Sequence, residues 1–222
     1  MTEVAVRAAD RAFFSRPVLE VAPELLGALI SVGGVTVRLT EVEAYAGTRD
    51  PGSHAFRGPT PRTAVMFGPA GHLYVYFSYG MHWCANLVCG PEGEAGAVLM
   101  RAGEVVHGED RARERRDAGR ARPLPVRDLA RGPARLTASL GLTGALDGVD
   151  LLRTDGPVRV DVPRKPATGV ATGPRVGVSG PGGDGTTYPW RFWLPGEPTV
   201  SPYRAAVARR RATTAWTRPG EP

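Results

Sequence analysis

Glycine and proline interrupt this chain too often for any long regular element: 29 Gly and 21 Pro are spread through 222 residues. Proline fixes φ and removes a backbone donor, while glycine frees φ, so a chain with this punctuation turns often. A long coiled coil is excluded, and a helical bundle is disfavoured. With 42% apolar residues there is still enough material to bury a core. Domains usually run to roughly 100–200 residues and single ones often exceed that, so one domain is expected over residues 1–222.

Within this punctuation the best-defined element lies between Ala28 and Tyr45. Leu29-Ile30-Ser31-Val32, a Gly33-Gly34 turn and the run Val35 to Tyr45 predict a β-hairpin. Before it, Phe13, Phe14, Val18, Leu19, Leu25 and Leu26 recur at spacings near three and four, predicting short helices broken at Pro17 and near Pro23. After it, residues 46–71 have no period and read as one long loop, a length that is usually functional or disordered. Leu73 to Phe77, Met81 to Val88, Ala97 to Ala102, Arg175 to Val178 and Arg191 to Leu194 read as short strands. Val105 to Arg122 alternates acids and arginines at spacings of three and four, the pattern of a solvated helix. Gly132-Pro133 opens another helix, whose free amides can receive a phosphate.

Several function classes drop out. No apolar run approaches the roughly 18 residues that span a bilayer, and the N-terminus lacks a basic segment leading into an apolar stretch. No membrane association and a cytoplasmic location are expected. Cys84 and Cys89 are too few for a disulfide framework or a four-ligand zinc site and read as buried thiols. His107-Gly108-Glu109 offers half of a zinc-deaminase signature, but both cysteines precede it. Phosphate-loop, nucleophile-elbow and dinucleotide fingerprints are missing. The net charge is +6, and Lys165 is the only lysine, so arginine carries the positive charge. Arginine is the better fork for phosphate, which keeps nucleic acid and acidic small molecules as partners.

Glu41 and Glu43 lie two apart on the hairpin strand and so share a face, about 7 Å apart. A pair of glutamates there is ordinarily a solvated face. Here Tyr45 falls on the same face and the strand runs straight into the loop that carries His54, so either Glu is a candidate general acid or base. Tyr74, Tyr76, Tyr79, His82 and Trp83 form a dense aromatic cluster. Strand aromatics usually fill a core, yet exposed rings beside arginines also suit base stacking.

Together these residues resemble a known family. Thr40 to Tyr45, His54, Thr60-Pro61-Arg62, Met66-Phe67, Gly71 to Tyr76, Tyr79-Gly80-Met81, Asn86 and Leu99 to Ala102 match, in order and spacing, the alkyladenine (3-methyladenine) DNA glycosylases. Arg131 to Leu136, Arg175-Val176-Gly177 and Arg191-Phe192 extend the resemblance over nearly the whole chain. It implies an α/β fold of the α+β type, a single domain around a curved, mostly antiparallel sheet with peripheral helices. It also implies a monomer that uses no metal or diffusible cofactor. The partner is then double-stranded DNA containing damaged purines, entered from the minor groove, which places a bacterial-type protein on the nucleoid.

The resemblance also assigns roles. Glu43 becomes the base that activates water, helped by Arg101 and the carbonyl of Val176. Tyr45, His54 and Tyr76 become the walls around a flipped base, Asn86 the gate against guanine and Tyr79 the wedge that fills the vacated stack. Arg62, Gly132 and Arg135 become DNA-backbone contacts. A damage-sensing module without catalysis, or a sugar-directed glycosidase built on Glu41 and Glu43, are the competing readings.

Overall fold

The computed structural model describes residues 5–78 and 80–206. Its strands are β1 (Val6–Ala8), β2 (Leu29–Val32), β3 (Val35–Tyr45), β4 (Leu73–Ser78), β5 (His82–Val88), β6 (Ala97–His107), β7 (Val158–Pro163), β8 (Ala171–Gly173) and β9 (Arg191–Trp193). Four α-helices accompany them: α1 (Arg11–Phe14), α2 (Val18–Glu24), α3 (Glu109–Asp117) and α4 (Pro133–Leu140). Eight strand pairs, all antiparallel, join the strands into one sheet in the order β1-β7-β2-β3-β6-β5-β4, with β9 joining β3 to β8. The fold is therefore the expected α+β type.

β3 is the spine of the sheet. β6 pairs with it almost end to end, while its other edge is shared by β2 near the hairpin and β9 at Glu41 to Glu43. Gly33 and Gly34 take φ of +53° and +80°, which the two-residue turn requires. The ladder between β3 and β6 is irregular in the middle. Leu39 faces Gly103, Glu41 faces Ala102 and Val42 faces Met100, so Thr40 and Arg101 are skipped. A bulge of this kind re-aims the side chains that follow it. Val35, Val37 and Leu39 point into the main core, and after the bulge Val42 and Ala44 do so instead. Glu41, Glu43 and Tyr45 are thereby turned out of the apolar layer.

Elsewhere the elements follow the predicted pattern with four corrections. Pro17 caps α2, but Pro23 lies inside it, close enough to its end that little of the helix ladder is lost. The strand expected at Ala97 to Ala102 runs on to His107, because β3 offers it a partner along its full length. The helix expected over Val105 to Arg122 shrinks to Glu109–Asp117, and its arginines are not merely solvated: Arg111 donates to the carbonyl of Gly33, Arg115 to Ser139 and Arg116 to Leu129. Arg175 to Val178 is not a strand, since the Arg175 side chain turns into the protein and Gly177 takes φ of +73°. Residues 46–71 hold only two short 3₁₀ turns, Gly47–Arg49 and Ala64–Phe67, yet they bury Asp50, Ser53, Ala55, Thr63 and Met66.

Gly103 sits opposite the bulge, where a Cβ would collide with the Arg38 carbonyl oxygen and the Val37 side chain. Gly103→Ala should cost about 1–3 kcal/mol through overpacking, read as a fall of several degrees in Tm by thermal unfolding. A wild-type Tm would show that the ladder yields at this point.

Candidate active site

The re-aimed face of β3 opens into a cavity of about 550 Å³, within the range of small-molecule sites. Glu43 lies in its wall with no solvent exposure over the residue as a whole. Its carboxylate has three neighbours: the Tyr45 hydroxyl donates to Oε2 at 2.9 Å, the Val176 amide donates to Oε1 at 2.7 Å, and Arg101 Nε stands 3.5 Å from Oε1. Val176 thus reaches Glu43 through its N–H. Burial, reinforced by the Glu43 charge, holds the Tyr45 hydroxyl well above the usual tyrosine pKa, so it remains a donor.

Glu41, the other candidate, is fully buried but does not line this cavity. Its Oε1 accepts from Arg191 Nε at 2.6 Å, Arg101 Nε at 2.9 Å and the Ser201 hydroxyl at 3.0 Å, and its Oε2 accepts from the Ser201 amide at 2.7 Å. Four donors occupy the carboxylate, about its full capacity. The two-carboxylate reading therefore fails, and the solvated-face reading fails with it.

Aromatic rings form the remaining walls. Tyr74 and Tyr76 project to one face of β4 and stack at 5.5 Å, and His54 stands edge-on to Tyr76 at 4.6 Å with Nδ1 3.3 Å from the Tyr74 hydroxyl. Asn86 lines the same cavity and donates through Nδ2 to the Tyr74 carbonyl at 3.1 Å, so it also satisfies strand backbone. Trp83 instead packs against Phe77 and onto Gly144.

The long loop is fixed behind this site by Arg175, which the sequence placed in a strand and in the family resemblance but gave no role. Fully buried, it forks onto Asp50 at 2.5 and 2.7 Å and donates to the carbonyls of Ala44 and Gly182. Its guanidinium lies over the Tyr45 ring at 4.6 Å. One side chain thus orders the loop bearing His54, the ring of Tyr45 and the backbone next to Val176. Arg191, also in the resemblance, was likewise given no role, and Ser201 was missed, because their partners lie 150 and 160 residues away.

The expected DNA-backbone residues occupy the rim. Arg62 is exposed and lies over the Tyr76 ring at 5.4 Å. Gly132 and Arg135 line a second cavity of about 420 Å³ with Arg131 and Arg204, adjoining the first through Arg101 and Val176. Tyr79 lies outside the described residues.

A pocket with stacked rings around a buried carboxylate suits a flat heterocycle better than a flexible chain. A family model described as methylpurine-DNA glycosylase matches residues 12–198, and the chain belongs to that family. A protein of Streptomyces avermitilis is 54% identical over 209 residues, covering 91% of this chain and 95% of that protein. Another from Leifsonia xyli subsp. xyli is 53% identical over 208 residues, with 91% and 96% covered. A third, from Burkholderia cenocepacia, is 51% identical over 193 residues, with 86% and 89% covered. All three bear the name "Putative 3-methyladenine DNA glycosylase".

Loss of solvent around the ring and, secondly, the charge of Arg62 hold the His54 pKa below its usual 6.5. The imidazole is accordingly neutral at neutral pH and charges only on acidification past that lowered value. Arg62→Ala should move the His54 titration upward in an NMR pH series, since a repelling cation is removed. An unmoved or lowered titration would contradict the placement of Arg62.

Proposed function

We propose that this chain is a monofunctional DNA glycosylase that removes damaged purines from duplex DNA, first those of the 3-methyladenine type and with them ethenoadenine and hypoxanthine. The observation that carries the reading is Glu43: a fully buried carboxylate whose oxygens each accept only one hydrogen bond, in the wall of an aromatic pocket. Glu41, buried as deeply, accepts four.

In this reading the lesion swings out of the helix, with its base among Tyr45, Tyr76 and His54 and its sugar toward Glu43. Flipping costs a few kcal/mol, least for a damaged or mispaired base, and stacking at about 1–3 kcal/mol per base offsets it. As the C1′–N bond lengthens, its electron pair leaves with the purine and positive charge builds on the sugar. The Glu43 carboxylate stabilises that charge and takes a proton from the attacking water. Arg101 and the carbonyl of Val176 hold the water. Cationic alkylpurines leave unaided, whereas a neutral purine takes a proton from solvent at a ring nitrogen as it leaves, since Glu41 is held by four donors and has none to give.

Asn86 excludes guanine by meeting its exocyclic amine. Tyr79 fills the gap in the stack, and Arg62, Gly132 and Arg135 hold phosphates. The protein acts as a monomer on nucleoid DNA, as a single domain. Lys165 is exposed and does not line the pocket, which supports hydrolysis over Schiff-base strand cleavage. No helix among the described residues is long and apolar enough to cross a membrane.

Glu43→Gln should retain binding to lesion duplex while single-turnover release of 3-methyladenine and ethenoadenine falls at least ~10²-fold. Unchanged release of both would remove Glu43 from the role. Lesion binding by the wild type with no release of either base would favour a damage-sensing module.

A further inference from the structure

Arg101 offers one Nε–H to two carboxylates, and Glu41 takes it at 2.9 Å while Glu43 stands off at 3.5 Å. The bias is built in, because Glu41 is fixed by Arg191 and by both donors of Ser201. Arg101 is itself anchored at the bulge and 9% exposed in its side chain. Two carboxylates and two guanidiniums are balanced in this cluster. Were Glu41 neutral, Glu43 would be the remaining anion beside Arg101.

Resting on the proposed role of Glu43, we infer that Glu41 is a positioning residue: by holding Arg101 at Nε it keeps that arginine from closing on Glu43. The Glu43 carboxylate is thereby left free to accept the water proton. An arginine hydrogen-bonded to a carboxylate favours its charged form and weakens it as a base. The other groups around Glu43 are Tyr45 on β3, Tyr76 on β4, Cys84 on β5, and Arg175 and the Val176 amide beside β8. A change at Glu41 leaves all of these in place.

The test is single-turnover release of ethenoadenine as a function of pH, with circular dichroism and thermal unfolding of every variant. In Glu41→Gln, Arg101 should close on Glu43. The acid limb of the rate profile should then move to lower pH, and the plateau rate should fall ~10–100-fold. Glu41→Asp keeps the charge on a shorter arm and should give a smaller displacement in the same direction, which preserves the test if the Gln variant does not fold. In an Arg101→Gln background, Glu41→Gln should cost less than about threefold and move no limb, because neighbours that act as a unit are not additive.

A folded Glu41→Gln with the wild-type acid limb, or a full additive loss in the Arg101→Gln background, overturns the inference. If the wild type releases base and Glu43→Gln does not, that failure belongs to Glu41 alone. If Glu43→Gln is as active as wild type, both readings fall together.

Discussion

The interaction on which the site depends is a missing one, the skipped pairing of Thr40 and Arg101 in the middle of the ladder between β3 and β6. A regular ladder would keep Glu41, Glu43 and Tyr45 on the same side as Val35, Val37 and Leu39, against the main apolar core. Burying two unpaired carboxylates there would cost several kcal/mol each. The bulge at Thr40 and Arg101 exchanges the two faces within one residue. It also supplies the compensating charge from the strand opposite, since the residue skipped on β6 is an arginine.

Once the carboxylates are turned away from the apolar layer, the rest of the architecture follows from satisfying them. Glu41, Glu43 and Asp50 are fully buried, and Arg101, Arg175 and Arg191 meet them. Buried ion pairs contribute little net stability over apolar packing, but breaking one is expensive. In this protein their effect is connective. Glu41 draws the segment at Ser201 onto β3, and Asp50 draws the irregular loop onto Arg175. Segments far apart in the chain are thereby held around one pocket.

Much of this was legible in the sequence. Gly33-Gly34 specifies the hairpin locally, and short apolar and aromatic runs separated by the turn residues Ser78-Tyr79-Gly80 mark β4 and β5. The residues of the pocket were found through their joint pattern, and Glu43, Tyr45, His54, Tyr76, Asn86 and Arg101 do line one cavity. The bulge was also written there, as an apolar parity that changes from odd at Leu39 to even at Val42, yet the run still read as a plain strand. What could not be read were partners at long range. Nothing near Arg175 announces Asp50, and nothing near Glu41 announces Arg191 or Ser201. By spacing alone both glutamates looked equivalent. The family resemblance singled out Glu43, and the donors around each, four on Glu41 and two on Glu43, show physically how the two differ.

The central claim is that Glu43 faces positive charge developing on a deoxyribose ring. It is tested most directly by binding, without turnover. Wild type and Glu43→Gln would be titrated with duplexes carrying two abasic analogues of the same shape, one with a cationic ring nitrogen and one neutral. The account predicts that wild type prefers the cationic analogue by at least ~10²-fold, about 2.7 kcal/mol, and that Glu43→Gln loses most of that preference while binding the neutral analogue as before. Equal affinity of the wild type for the two analogues would contradict it.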